Sequence, residues 1–255
     1  MDLVINGFIF IVGACLGSFL NVVAMRYIRE ESIGGRSYCS VCHKTLRWWE
    51  LIPVFSFLAF GAKCISCRAP LSWQYPLVEI INGLLWVGAF SVMPQLFIFN
   101  FLLAIWLSIL FVLFLIDLHI FILPDIYVLL LLIVTIGLLI IMPHPPSLLS
   151  SMGGVAIGSG FLGILWLITR GKGIGLGDVK LLVPLGALLG IQGIIVHLWI
   201  SFALGGLLGI YLLIRHKAHL KTPLPFGPFL SAVAALLILF PHFVEVFFSV
   251  AFGIS

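Results

Sequence analysis

Eight apolar stretches follow one another along the chain and leave few folds open. They cover residues 3–23, 76–92, 96–116, 126–142, 148–169, 181–189 with its flanks, 194–214 and 226–248. A helix of roughly 17–25 apolar residues crosses the hydrocarbon core of a bilayer. The remainder cannot wet so much apolar surface: 62% of residues are hydrophobic, only 9% are charged, and mean hydropathy is +1.28. A soluble domain carries about 25% charged residues. The expected fold class is therefore an all-α polytopic membrane protein with about eight transmembrane helices, because backbone in lipid must satisfy its own hydrogen bonds. Residues 181–214 strain that count, since they form a run of 34 without a charge, long for one span and short for two. The sequence Gly190-Ile191-Gln192-Gly193 offers a tight turn between two spans, the first of them short. Residues 226–248 read as the last span, with Pro241 able to end it early and lay the tail along the interface.

The basic residues sort the loops. Arg26, Arg29, Arg36, Lys44, Arg47, Lys63 and Arg68 lie in the first loop, Arg170, Lys172 and Lys180 in the fifth, and Arg215, Lys217 and Lys221 in the seventh. These are all 13 basic residues of the chain, and every one lies in an odd-numbered loop. Lys and Arg gather on the cytoplasmic side of membrane proteins, so the odd loops are expected in the cytoplasm and both termini outside. The net charge of +4 is too thinly scattered for a nucleic-acid partner. Asp2 stands where a signal peptide would be basic, and the apolar run behind it exceeds an h-region, so no cleavable signal is expected. The organisation expected is a first transmembrane helix over residues 1–25, a cytoplasmic loop domain over 26–75, and a transmembrane domain over 76–255.

That loop domain is too small to build a self-sufficient core without a staple. Cys39-Ser-Val-Cys42 and Cys64-Ile-Ser-Cys67 supply one: two CxxC pairs suit a tetrahedral zinc ion, each turn offering two sulfurs at about 2.3 Å. Disulfides are the alternative, and the cytoplasmic placement weighs against them. Four thiolates fill the coordination shell, so the zinc is structural. Cys15, inside the first span, reads as a packing residue. Between the pairs, Trp48, Trp49, Pro53, Phe55, Phe57 and Phe60 read as a small core or a belt against the headgroups.

Carboxylates in or beside spans are costly and mark functional sites. Those in question are Glu79, Asp117, Asp125, Asp178 and Glu245, the other four of the nine acids lying in plainly polar segments. Asp117 ends the third span in Leu-Ile-Asp117-Leu-His119-Ile-Phe-Ile-Leu-Pro124-Asp125, and no basic residue lies in that loop. Asp178 follows Gly173-Ile-Gly175-Leu-Gly177, just before the sixth span. The topology sets Asp117, Asp125 and Asp178 at one depth on one face. Two carboxyl groups sharing one proton can activate water and polarise a scissile carbonyl. The glycines would let backbone approach a bound peptide and allow positive φ. On the residues alone, such a dyad, a cation or proton relay in a transporter, and plain capping (Asp125 as N-cap after Pro124) all stay open. His119 reads as a loop histidine.

Six pieces in order resemble the type IV prepilin peptidases, bifunctional leader peptidase/N-methyltransferases, over nearly the whole chain. They are Gly17-Ser-Phe-Leu-Asn21-Val-Val with Arg26, the two CxxC pairs, Tyr75-Pro-Leu-Val-Glu79, Asp117 with Leu123-Pro-Asp125, Gly175-Leu-Gly177-Asp178-Val-Lys180-Leu-Leu, and Pro225-Phe-Gly-Pro228-Phe. The resemblance implies catalytic aspartates at Asp117 and Asp178, with Asp125, Gly175, Gly177, Lys180 and Glu79 in support. It implies cleavage after glycine of a basic leader on a prepilin or pseudopilin partner, at the cytoplasmic face of a bacterial inner membrane. It also implies methylation of the new amino terminus with S-adenosylmethionine by way of the cysteine loop. Three departures fall in or beside that loop: Ser40 for a usual proline, Gln74 for an arginine, and Trp49-Glu50 for an Asp-Asn before Ile52-Pro53. Rival readings are a cation- or proton-coupled transporter, against which no inverted repeat is evident, and a non-enzymatic zinc-loop scaffold for pilus assembly.

Overall fold

The computed structural model describes residues 3–171, 173–215 and 224–252; Asp2, Lys172, Lys217 and Lys221 lie outside the described residues. Its elements are α1 (Leu3–Ile28), a 3-10 turn (Trp48–Leu51), α2 (Phe55–Ala59), α3 (Gln74–Val92), α4 (Phe97–Ile120), α5 (Asp125–Ile141), α6 (Leu148–Thr169), α7 (Leu176–Ile214), α8 (Gly227–Leu239) and α9 (His242–Phe252). Among the described residues there is no strand, only the isolated bridges Tyr38–Thr45 and Lys63–Pro70. Five helices, α1, α3, α4, α6 and α7, are long and apolar enough to cross a membrane. The chain is a multi-pass membrane protein, all-α as its composition demands. It divides into two compact units, Met1–Ser108 and Ile109–Ser255.

In the first unit α1 and α3 run antiparallel. Gln74 Nε2 reaches Asn21 Oδ1 at 3.2 Å, and further along Asn82 Nδ2 donates to the Gly13 carbonyl at 2.7 Å. The helices approach closely because Gly13 and Gly17 leave room for Trp86 and Asn82. Small residues are how lipid-embedded helices gain packing contact, since lipid gives no hydrophobic drive to associate. Ser108 Oγ joins the set, donating to Asn82 Oδ1 and accepting from Trp86 Nε1. Both chain segments that frame the cysteine loop thus end at the same side of the pair.

In the second unit the charge-free run is a helical hairpin. Gly190 has φ 66 and ψ −171, a region open in practice to glycine alone. A Cβ on Gly158 of α6 would lie 3.0 Å from Ile194 Cγ1 and 3.5 Å from Leu182 Cβ. A straight helix would hold those two residues about 18 Å apart, so the chain reverses at Gly190 and α7 has two antiparallel arms, residues 176–189 and 191–214. The second arm starts on a cap from α6, the Ile191 N–H donating to Ser150 Oγ at 3.2 Å. The first arm, about 21 Å long, is as short as the sequence implies.

The exact count of eight spans is not confirmed, since among the described residues only five helices reach the length of a full span. α5 has 17 residues and α8 has 13, about 26 and 20 Å against a hydrocarbon core of about 30 Å. The single span expected over residues 226–248 is broken at Phe240-Pro241 into α8 and α9, since proline cannot donate to a helical ladder.

Candidate active site and metal centre

Asp117 sits in the last turn of α4, where Phe121 stops the helix at φ 57 with its N–H on the Asp117 carbonyl at 3.0 Å. Asp178 sits in the first turn of α7, where Gly175 N–H donates to its Oδ2 at 3.3 Å. Both side chains are buried, at 4% and 7% exposure. They lie close enough for the charge of Asp117 to act on Asp178. Among the described residues neither is in an ion pair, and the backbone amide of Gly227 lies against the Asp117 carboxylate. Two acids 61 positions apart in the chain therefore form one buried acidic centre within the second unit.

The glycines beside it act through space and not through φ. Gly173, Gly175 and Gly177 are absent from the positive-φ glycines, and Gly175 has φ −74. A Cβ on Gly177 would stand 2.9 Å from Leu123 Cβ, and one on Gly175 would stand 3.3 Å from Asp178 Oδ2. The expectation of positive φ there is corrected: what the motif requires is the missing methyl.

Three other expected residues have altered settings. Asp125 is not an N-cap; Pro124 holds that position and makes no side-chain cap. Asp125 instead takes both carboxylate oxygens to Lys180 Nζ at 2.8 Å, tying the start of α5 to the start of α7. His119 is helical, its Nδ1 on the Leu115 carbonyl at 2.8 Å. Glu79, buried on α3, accepts the Val54 N–H at 2.7 Å. That bond holds a β-branched residue at φ 60, an outlier for such a side chain, and anchors the cysteine loop to the helix.

The cysteine loop is two copies of one knuckle. Cys39 N–H bonds the Lys44 carbonyl and His43 N–H the Cys39 carbonyl; Cys64 N–H bonds the Ala69 carbonyl and Arg68 N–H the Cys64 carbonyl. His43 and Arg68 both have positive φ. The four Sγ atoms lie within 4.8 Å of one another, with Cys39 and Cys67 at 3.8 Å. A tetrahedron of bonds about 2.3 Å long has edges of about 3.8 Å, so the cluster is of a size to hold one metal ion. The Cys42 backbone amide draws the Cys39 thiol down to about 7. At Cys67 the Ala69 amide acts downward, but desolvation and the other three thiols outweigh it and push the group up to about 11. Arg26, 6% exposed, folds the approach by donating to the carbonyls of Ile33, Gly34 and Arg36 at 2.6–3.0 Å. Phe57 forms the loop's core against Trp73, while Trp48 and Phe55 stay exposed.

Sequence reasoning gave no role to Gly227 or Leu123. A Cβ on Gly227 would stand 2.6 Å from Asp117 Oδ2 and 3.3 Å from Leu123 Cδ1. The signal was the Pro225-Phe-Gly-Pro228 sequence, a glycine between two prolines just ahead of an apolar helix.

Comparison with known proteins gives the family. Residues 11–93 match the bacterial peptidase A24 N-terminal domain, and residues 101–210 match the type IV leader peptidase family. The chain is 30% identical over 236 residues to the prepilin leader peptidase/N-methyltransferase of Bacillus subtilis (strain 168), covering 91% of this chain and 93% of that one. It is 34% identical to the protein of that name from Aeromonas hydrophila, with 88% and 86% covered, and 33% identical to the one from Pseudomonas aeruginosa, with 87% and 85% covered. No solved structure is a significant match. With two matching domains in sequence, relatives alike over nearly their full length and a buried pair of acids, the chain belongs to the type IV leader peptidase family, membrane enzymes of the aspartic peptidase class.

Proposed function

We propose that Asp117 and Asp178 are the catalytic pair of a leader peptidase that cuts prepilin or pseudopilin precursors after glycine, at the cytoplasmic face of a bacterial inner membrane. The observation that carries this is the meeting of two buried carboxylates from separate helix ends, neither of them in an ion pair among the described residues. Like charges this close share one proton. The ionised member takes a proton from a water as its oxygen attacks the scissile carbonyl, and the neutral member donates to the carbonyl oxygen. The resulting gem-diol collapses as one acid gives its proton to the departing amine and the other carboxylate takes a proton from a gem-diol hydroxyl, so the pair again holds one proton. The substrate's apolar helix enters from lipid while its basic leader stays in the cytoplasm. The gathering of basic residues in the odd loops supports that orientation, with both termini outside.

We divide the chain by function into the first helix (1–25), the cysteine loop domain (26–75) and the peptidase domain (76–255). Asp125 and Lys180 brace the pair by joining α5 to α7. Cys39, Cys42, Cys64 and Cys67 would hold zinc with no position left open, so the metal would fold the loop and do no chemistry. The second activity is methylation of the new amino terminus. Glu31, Glu50, Glu79, Tyr38 and Tyr75 line a cavity of about 150 Å³ in the first unit, together with Arg26, Arg29 and Lys63. Carboxylates and ring faces complement a sulfonium cation and the basic groups complement a carboxylate, both of which S-adenosylmethionine carries; when bound it would supply an electrophilic methyl group. The chain's own part there is to bind and orient.

The test is intact-mass analysis of a prepilin incubated with the purified protein in nanodiscs and S-adenosylmethionine. Wild type should yield a product lacking the leader and heavier by one methyl group. Asp117→Asn and Asp178→Asn should each leave the precursor whole. Full cleavage by either variant removes the dyad.

A further inference from the structure

The turn between α4 and α5 carries one inward residue. Phe121 and Ile122 are 51% and 55% exposed, whereas Leu123 is 6% exposed. The isobutyl group of Leu123 meets two glycines from distant parts of the chain. At Gly177, the neighbour of Asp178, even an added methyl would come within 2.9 Å of Leu123 Cβ. At Gly227, whose backbone covers Asp117, an added methyl would come within 3.3 Å of Leu123 Cδ1 and 2.6 Å of Asp117 Oδ2. Neither glycine has positive φ, so space is what excludes a side chain at both. One side chain thus fills the gap between the segment bearing Asp178 and the segment capping Asp117.

We infer that Leu123 is the spacer that sets the separation of Asp117 and Asp178, a positioning residue for the peptidase reaction; the inference rests on those two acids being the catalytic pair. α4 delivers Asp117 from one side and α7 delivers Asp178 from the other. Among the described residues neither acid is in an ion pair that could fix it. The Lys180–Asp125 pair joins the same segments from outside, but its side chains are 44% and 72% exposed, and such pairs hold geometry weakly. Interior packing is stiff by comparison, because close-packed side chains transmit displacement. Removing the isobutyl group lets the Gly177 and Gly227 segments close on the void, and the two carboxyl groups move with them. A displacement near 1 Å in a catalytic constellation costs about 10²-fold in rate.

The experiment measures kcat and KM for cleavage of a dye-labelled prepilin by the full chain in nanodiscs. Leu123→Ala should lower kcat by about 10–10²-fold with KM unchanged, because Leu123 is buried and offers a substrate little surface. Leu123→Met, which keeps the volume, should restore most of the rate. Gly177→Ala should lose activity through the overlap of its methyl with Leu123 Cβ, 2.9 Å apart; Leu123→Ala keeps that Cβ, so the double variant Leu123→Ala/Gly177→Ala should do no better than Gly177→Ala. Wild-type kcat in Leu123→Ala or in Gly177→Ala overturns the spacer. If Leu123→Ala is not recovered as a folded protein, Leu123→Val takes its place, with a smaller fall in kcat expected and an unchanged kcat overturning the inference. Asp117→Asn runs in parallel: full cleavage by that variant would remove the dyad, whereas its inactivity beside a fully active Leu123→Ala removes only the spacer.

Discussion

Gly227→Ala puts a methyl group against the acidic centre itself. The new Cβ would stand 2.6 Å from Asp117 Oδ2 and 3.0 Å from its Cγ, whereas ordinary contact begins at 3.4 Å. The overlap of 0.8 Å must be relieved by the carboxylate or by the start of α8. Pro228 holds the first turn of α8, and the last turn of α4 is held by its own ladder, so the Asp117 side chain yields first. Turning it off its rotamer by some 30° costs about 0.5–1.5 kcal/mol, which a folded protein tolerates. The kinetic penalty is larger, about 10²-fold in kcat for a shift of this size. The assay is cleavage of a prepilin in nanodiscs beside a thermal melt of the same preparation. A fall in kcat with the melting point within a few degrees of wild type is expected. The control is Gly206→Ala, where a Cβ meets nothing within 4 Å and cleavage should be unchanged. A Gly227→Ala protein that cleaves at the wild-type rate would refute the claim that Gly227 is there for want of room beside Asp117.

Two further outcomes test the fold and the metal site. Gly190→Ala forces a side chain into a backbone region reserved for glycine at the turn of the α7 hairpin, and should cost about 1–3 kcal/mol, read as a lower midpoint in thermal unfolding in detergent. Cys42→Ser removes one ligand of four, so bound zinc measured by elemental analysis should fall well below one ion per chain; for the wild type, a chelator should strip the metal faster at pH 5 than at pH 7, because protons compete for the thiolates.

Much of the architecture can be read from the order of residues. The break inside residues 181–214 falls at Gly190, within the four residues that the sequence nominates, because only glycine among them takes φ 66 with ψ −171. The cysteine pairs come together as two like knuckles, since a CxxC turn is local and the hydrogen bonds that shape each one lie within residues 39–44 and 64–69. The last apolar stretch ends early at Pro241, as the sequence allows, because proline cannot continue the helical ladder from α8 into α9. Capping stays open for Asp125 in the sequence because its helix is visible there and its partner Lys180, 55 positions away, is not.

The sequence by itself determined the solvent, the element type and the suspects. A chain with so little charge must live in lipid, lipid permits a spanning segment only if its backbone bonds are internal, and acids kept there at a cost of about 2.5–3.5 kcal/mol each ask for a reason. Only the tertiary structure decided which acid meets which and what lies between them. In water, a helix declares its inner face by hydrophobic periodicity; in lipid both faces are apolar, because the tails are as apolar as leucine. The meeting of Asp117, Asp178, Leu123 and Gly227 therefore depends on helix packing, on missing methyl groups and a single filled gap, and none of these leaves a periodic mark in the chain.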